Sequence, residues 1–555
     1  MYLNRSFWIM VVAALLAFPA VTLHSAEDSW NKKAEAMKKS LEKKGFTVSP
    51  GKYQEVNLGT LYCAGLADSC NGNNFNAPYH GYLIPTLDRQ PPSFYFKMRR
   101  DEAIVIVGPT PPTCRFYSWA LFVFKRWDAV QQRERELFDT LGQPLNRYLV
   151  HTGGSPFNQN IVLTFTCDQK VDQAVRDAAK AAGFSGDVLN TYVVPSSILR
   201  TNDALDNQAD VLFIGQREAL VTGTPSGAET FVWRVTPPSP TPAAQLKPFP
   251  APDLRVRGTG KTEMDWTPAV ETLRESILAT YPGQTPQEYT TVEWVPQSPM
   301  AIQSWENSVG DTSDAAYLST KENFKLSDDP GDFLVAYGVN HTKTEKALYT
   351  NLTVYTSCKM CGVASVFSDS LDNTASDYLK GTYPFDPGKL YAYKIARSCN
   401  GDPHCLTVPT SEECGKGSAL ADDLFVSMRN YLETKTKTGP SYTELVFDRV
   451  MHFTASPPQV ESLNTTFSGP YPGPVPVTLH ATSSTPGDLR WRVSYEYMDD
   501  PCCGALEPKD GLVESDGSIN FSFTPDRAGT FYLEVTVADA QDRQTCGEVK
   551  IVAGK

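Results

Sequence analysis

Two stretches of the chain carry the same pattern of apolar and polar positions. In Gly331 to Tyr355, GDFLVAYGVNHTKTEKALYTNLTVY, the apolar run Phe333 to Tyr337 gives way to the polar, turn-prone Gly338 to Lys346. From Ala347 the chain alternates, with Leu348, Leu352 and Val354 on one face and Tyr349, Asn351 and Tyr355 on the other. Earlier, Ala103 to Val107 is apolar, Gly108 to Arg115 is a Pro-rich turn, and Phe116 to Phe124 reads FYSWALFVF. Each stretch predicts two strands joined by a loop. We read the two as copies of one β-unit, a distant internal repeat.

Other elements follow from the same kind of pattern. Trp30, Ala34, Met37 and Leu41 recur at helical spacing among lysines and predict a helix over 29–44. A basic helix can lie on an anionic surface; so narrow a stripe suits docking on its own domain better. Leu61 to Tyr82 is rich in Asn, Gly and Cys and reads as a structured loop clipped by Cys63 and Cys70, a reasonable place for a ligand. Val130, Leu137 and Leu141 predict a helix over 128–141. Strands are expected at 147–150, 160–166, 211–214 and 230–235, and a helix at 171–182 stopped by Gly183. No glycine fingerprint opens a helix, so a dinucleotide fold is not expected. A helix at 268–280 precedes the second β-unit. Leu420, Leu424, Met428 and Leu432, four residues apart, predict an amphipathic helix over 418–433. Residues 443–453 form a strand or a short helix.

Two Pro-rich stretches punctuate this order. PPSPTPAAQLKPFPAP, 237–252, reads as a semi-rigid spacer, and SGPYPGPVP, 468–476, as a second boundary. Beyond it, strands are expected at 477–482, 489–497, 518–524, 530–538 and 548–552, with Trp491 in their core. The fold class is therefore α+β and β-rich. Two mixed β domains, 27–236 and 254–456, are joined by a linker at 237–253 and followed, after a linker at 457–475, by an immunoglobulin-like β-sandwich over 476–555.

Composition changes the picture in one respect. The net charge of −13 argues against a nucleic-acid partner. Phe7 to Leu23 is an apolar core broken by Pro19, and His24-Ser25-Ala26 ends on a small residue. This predicts a secretory signal over 1–26, with an uncleaved anchor as the alternative. No later stretch is long and apolar enough to span a membrane. The expected location is secreted, periplasmic or cell-surface. Export makes the twelve cysteines disulfide candidates. Cys63, Cys70, Cys114 and Cys167 form a first group. Cys358, Cys361, Cys399, Cys405 and Cys414 form a second, and Cys502, Cys503 and Cys546 a third. The last two groups are odd in number. Full pairing then requires a bridge between them, or each leaves a free thiol.

The stretch Phe523-Thr524-Pro525-Asp526-Arg527-Ala528-Gly529-Thr530-Phe531, followed by Leu533, Val535, Val537 and Asp539, resembles the last strands of bacterial immunoglobulin-like modules of the PKD type. The resemblance covers roughly the last 80 residues. It implies a two-sheet sandwich used as a spacer or for carbohydrate or protein contact. The loop Asp500-Pro501-Cys502-Cys503-Gly504 departs from that pattern. The body, through Gly72-Asn73-Asn74 to Pro78-Tyr79, the twin strands and Leu390-Tyr391-Ala392-Tyr393-Lys394, resembles a family of exported bacterial proteins without assigned activity.

Candidate chemistry is sparse. Cys358-Lys359-Met360-Cys361 is a CxxC, but Gly362 to Val366 reads as turn and strand, without the helix that would lower a thiol pKa. Structural disulfides suit it better. A zinc site drawn from Cys358, Cys361, Cys399, His404, Cys405 and Cys414 is the alternative, and no metal is assigned. His341, beside Asn340, could act as base or ligand, or be a surface histidine. His80, His151 and His452 could join it. Arg115, Tyr117 and Trp119 share a strand face in the first β-unit, and Tyr349 and Asn351 in the second; face to face they would line a cleft for a sugar or small organic ligand. No cofactor is expected. Acidic turns at Asp328-Asp329 with Asp332, and at Asp499-Asp500, could take calcium. Asn340, Asn351, Asn464 and Asn520 begin glycosylation sequons. The expected function is that of an exported binding or structural protein for a glycan, a small molecule or a surface protein. The alternative is a secreted hydrolase using His341.

Overall fold

The computed structural model describes residues 29–554 apart from 66, 68, 76, 88–90, 283–285, 296–299, 329–330, 455–465, 482–488, 496–503 and 539–543. The expected signal, Asn464, Asp329, Asp499, Asp500, Cys502 and Cys503 lie outside the described residues. The chain forms two compact units. One takes in residues up to 55, 78–127 and 140–254; the other takes in 56–77, 128–139 and everything from 255.

The first unit opens with helix α1 (29–43). Its Trp30, Ala34, Met37 and Leu41 are buried in one core with Ala103, Val105 and Val107, and none of its lysines is buried. The helix docks on its own unit, as its stripe predicts. The strands that follow are β1 (Thr47–Pro50), β2 (Lys52–Val56), β3 (Tyr79–Leu83), β4 (Tyr95–Phe96), β5 (Ala103–Pro109) and β6 (Cys114–Asp128). After β7 (Arg133–Thr140) come β8 (Leu145–Asn146), β9 (Asn160–Thr166), β10 (Leu189–Val193), β11 (Val211–Val221) and β12 (Phe231–Thr236). Helix α2 (Leu58–Cys63) belongs to the second unit, and α3 (Gln169–Ala181) lies between β9 and β10. Asp168 caps α3 by accepting from the amides of Lys170 and Val171, and Gly183, at φ +87°, follows its end. One sheet runs β1-β12-β5-β9-β10, antiparallel except for the last pair. The other contains β2-β3-β11-β6.

The second unit repeats this plan. Helix α4 (Thr267–Thr280) precedes β13 (Gln287–Glu293), β14 (Ala315–Thr320), β15 (Phe333–Val339), β16 (Tyr349–Thr356) and β17 (Gly362–Phe367). Then come β18 (Leu390–Ala396), β19 (Cys405–Thr407), β20 (Leu424–Tyr431) and β21 (Arg449–Phe453). The order is β13-β21-β15-β18-β19 on one side of β13 and β13-β14-β20-β16-β17 on the other. The edge pair β18–β19 is again parallel and its neighbours antiparallel. Strand for strand, and in chain order, β5, β6, β9, β10, β11 and β12 correspond to β15, β16, β18, β19, β20 and β21. The weak sequence echo is therefore a duplicated topology.

The structure corrects one feature of the echo. β5 and β6 do not pair with each other, nor do β15 and β16. β5 and β15 are buried on both faces and take both neighbours from strands that arrive later. The loop after each carries the chain to the other half of the fold. In the second unit, Leu334 and Ala336 face one core with Leu352, Val354 and Met428, while Phe333, Val335 and Tyr337 face α4.

Three local expectations fail. Residues 128–141 are the end of β6, a turn and β7, with Val130 88% exposed; Ser308 and Gly310 bond the β7 backbone instead. Residues 147–150 are a turn after β8. Within the helix expected at 418–433, residues 424–431 are strand β20, buried throughout, and Leu420 is exposed. A spacing of four puts side chains on one face of a helix, but equally on one face of a strand. The Pro-rich 237–252 is laid along the first unit: Thr241 N donates to Asp101 at 2.6 Å, Lys247 N to Asp168 at 2.6 Å and Phe249 N to the Cys167 carbonyl at 2.9 Å.

The C-terminal strands β22 (Thr466–Pro470), β23 (Val475–His480), β24 (Arg490–Tyr495), β25 (Gly504–Glu507), β26 (Asp510–Leu512), β27 (Ser518–Pro525), β28 (Gly529–Ala538) and β29 (Gln544–Gly554) make two sheets. These are β22-β29-β28-β24-β26 and β23-β27-β25, closed over a core that includes Trp491, Phe521 and Phe523. β22 and the start of β23 fall inside the stretch expected as linker.

Of the sequons, Asn340 and Asn351 are buried and Asn520 is exposed. Folded protein recovered from a glycosylating host should carry a glycan at Asn520 and none at Asn340 or Asn351, as peptide mass spectrometry would show.

Candidate ligand-binding cleft

Four disulfides organise the second unit. Cys63 pairs with Cys414, Cys70 with Cys361, Cys358 with Cys546, and Cys399 with Cys405. Cys358–Cys546 joins the two odd groups, the first of the two outcomes their counts left open. Cys63 and Cys70 do not clip their own loop; each reaches a cysteine of the middle group. The CxxC is a two-way staple, with Cys358 tied to the C-terminal sandwich and Cys361 to residues 69–75. The cysteines of the alternative zinc site are taken up by disulfides, and His404 Nδ1 bonds Asp377. Cys114 and Cys167 are free and buried, and burial pushes both thiols up to about 12.

The stapled segment covers one face of the sheet around β16 and β20. Asn74 Nδ2 donates to Tyr349 Oη at 3.2 Å, Tyr355 Oη to the Asn73 carbonyl at 2.9 Å, and Gly362 N to Asn73 Oδ1 at 3.0 Å. Arg429 donates to the Gly72 carbonyl. Gly72 has φ +56°, and a Cβ there would stand 2.7 Å from the Trp294 ring, so glycine is required. Tyr349 and Asn351, expected to line an open cleft, are fully buried beneath this cover. The Asn351 amide has no hydrogen-bond partner among the described residues.

The other candidates are also enclosed. In the first unit Tyr117 Oη donates to the Pro156 carbonyl at 2.5 Å and Trp119 Nε1 to Tyr82 Oη at 2.8 Å. Both residues are buried, and Arg115 on the same face is exposed. His80 pairs with Glu218 at 3.1 Å, and His452 with Asp332 at 2.6 Å, which also occupies the one described acidic-turn carboxylate that is buried. His151 is exposed. The histidines do not converge.

His341 is neither a surface residue nor open to a substrate; it is 1% exposed. The polar loop that carries it turns inward where His341, Thr344 and Lys346 find partners far along the chain. His341 Nδ1 lies 2.9 Å from Glu263 and Nε2 3.6 Å from Asp448. Glu263 also accepts from Thr344 Oγ1 and from Val446 N at 3.1 Å, and Lys346 bonds Glu433 at 2.9 Å and Glu444. Burial works against the imidazolium, but Glu263 and Asp448 outweigh it and raise the His341 pKa to about 10. Burial likewise opposes the Glu263 carboxylate; His341⁺ and the donors around it hold its pKa below the usual range. This is a clamp of buried charge, not a catalytic dyad.

An open cleft of the unit lies beside the covered face. A cleft of about 290 Å³ is floored by Trp294, Phe425 and Met360. Tyr355 stacks on Phe425 with centroids 5.1 Å apart, and Trp294 lies 5.2 Å from Tyr355 and 5.3 Å from Phe425. Behind the floor, the Arg429 guanidinium sits 5.0 Å from Trp294 and within 5.5 Å of Tyr317 and Tyr355. The rim is polar: Glu293, Lys321, Asn323 and Ser357 from the body, and Glu534 and Glu548 from the sandwich. The Cys358–Cys546 bridge forms part of the wall, with Glu534 Oε1 2.7 Å from Cys358 Sγ. Cys358, Cys546 and Glu534 group within 4.8 Å, but with both sulfurs in a disulfide only the carboxylate is left as a ligand. Sequence reasoning missed Trp294, Glu534 and Glu548. The one cue was the odd count of the last two cysteine groups, which allowed a bridge between them without saying which cysteines form it.

No protein-family model and no curated protein matches the chain. Among solved structures, it is similar to an uncharacterized protein from Burkholderia cenocepacia at 10% identity, over 78% of this chain and 95% of that one, with a TM-score of 0.33. A biofilm-associated protein BSP domain aligns at 9% identity over 91% and 82% of the two chains, with a TM-score of 0.15. Likenesses this slight bear on neither fold nor function.

Proposed function

We propose that this chain is an exported, non-catalytic binding protein that takes a small organic ligand in the cleft of its second unit, with the C-terminal sandwich, read as a PKD-type module, serving as both spacer and cleft wall. The aromatic floor under a polar rim carries this reading, since ligand sites combine apolar area with a few oriented polar groups. Four disulfides support export, because such bonds persist in oxidising compartments. No helix among the described residues is long and apolar enough to cross a membrane. The buried His341 gives the hydrolase alternative no accessible base.

Saturation-transfer NMR of the oxidised protein against sugars, amino acids and amines tests the proposal. At least one class should bind, with affinity falling about tenfold or more in Trp294→Ala and less in Trp294→Phe, as loss of an aromatic platform worth about 1–3 kcal/mol requires. Binding that ignores Trp294 would refute it.

A further inference from the structure

Resting on the reading of this cleft as the ligand site, we infer that its occupant is an uncharged sugar ring, with its C–H face against Trp294 and Phe425 and its hydroxyls on the rim. The first argument is charge. Glu293, Glu534 and Glu548 line the cleft with Lys321. Arg492 on β24 pairs with Thr536, two residues along β28 from Glu534, and Lys550 lies two residues along β29 from Glu548. That spacing puts both on the sheet face that carries the two glutamates. The carboxylates are thus matched in number by Lys321, Arg492 and Lys550, and the cleft holds no net charge for an ionic ligand to neutralise. The second argument is the neutral groups. Ser357 Oγ is enclosed at the cleft wall and has no hydrogen-bond partner among the described residues. A hydroxyl shut away from water without a partner is costly, and a ligand that bonds it removes that cost. Asn323 adds an amide to the rim. Hydroxyl and amide both donate and accept, as does every hydroxyl of a sugar. The third is the floor. An aromatic face is electron-rich, and the C–H groups on one face of a pyranose carry a slight positive charge and form no hydrogen bonds with water. A space of about 290 Å³ takes one ring, not an extended chain.

Calorimetry on the oxidised full-length protein tests this. The sugar probes are methyl glucoside, methyl galactoside and N-acetylglucosamine. Phenylalanine serves as a zwitterion, benzamidine as a cation and benzamide as a neutral aromatic. At least one sugar should bind, with an affinity that does not fall as salt rises, since no charge is exchanged. Trp294→Ala should weaken it about tenfold or more. Ser357→Ala and Asn323→Ala should each weaken it about three- to tenfold, the loss of one hydrogen bond. Urea midpoints equal to that of the unmutated protein show that these variants fold. If phenylalanine, benzamidine or benzamide binds through Trp294 and no sugar does, the sugar assignment fails while the binding reading stands. If a sugar binds but ignores Ser357 and Asn323, it lies elsewhere and the assignment fails. If no probe binds, both readings fail.

Discussion

Replacing His341 with alanine should destabilise the second unit by about 3–5 kcal/mol, the range for removing one partner of a buried ion pair. The loss comes less from the missing contacts than from what is left behind. Glu263, 1% exposed, would keep a buried charge with only Thr344 and the Val446 amide beside it. Urea unfolding together with hydrogen exchange at 257–264, 340–348 and 444–450 would measure the effect; an unchanged midpoint would remove the clamp from the account. Glu263→Gln should cost less, because a neutral amide leaves only His341 to shed its proton. The pH dependence follows from the sign of the shift. The folded pKa of His341, about 10, lies above its ordinary 6.5, so this contribution is complete below pH 6.5. It declines as pH rises from there and is gone above about 10. The Glu263 pKa is lowered, so its contribution is present above the ordinary carboxylate value and lost as pH falls through the folded one. In His341→Ala the alkaline decline should flatten.

The difference between what this chain announces and what it conceals has a physical cause. Elements whose burial is one- or two-sided over a local window were legible: α1, α3 and α4, the doubly buried β5 and β15, and the alternating strands of the sandwich. β20 was not, because Leu424 and Met428 satisfy helix and strand periodicity alike. β7 was not, because its charged sequence is matched by bonds from Ser308 and Gly310, far along the chain. The candidate site suffered most. His341 looked like a loop histidine because Glu263 is 78 positions away, and Tyr349 looked open because its cover, Asn74, is 275 positions away. The cleft joins Trp294 to Glu534 and Glu548, and nothing local marks those residues. Parity of cysteine groups is a global constraint, and one of the two outcomes it left open, a bridge from the middle group to the last, is the link that Cys358–Cys546 makes.

Severing the staples should have the second large effect. Cys63–Cys414 and Cys70–Cys361 close loops of 351 and 291 residues, for which the chain-entropy account gives about 6 kcal/mol each and measured losses run about 2–5. Cys63 and Cys70 are only seven positions apart, so one bridge already closes most of the loop that the other closes. Cys70→Ser with Cys361→Ser should therefore cost about 2–5 kcal/mol, and adding Cys63→Ser with Cys414→Ser should cost less than twice that. The consequence is local as well as global. Residues 69–75 shield Tyr349, Asn351, Tyr355 and Arg429, and without the bridges only a few hydrogen bonds hold that cover down. Each is worth about 1 kcal/mol net, too little to hold a free segment in place. Hydrogen exchange should then accelerate across β16 and β20 while the sheet β13-β21-β15-β18-β19 stays protected. Because Cys358–Cys546 remains in this variant, the aromatic cleft should survive while its neighbouring face opens. If unfolding and exchange were unchanged after both bridges were removed, the cover would be held by packing alone, and the disulfides would be incidental to the fold.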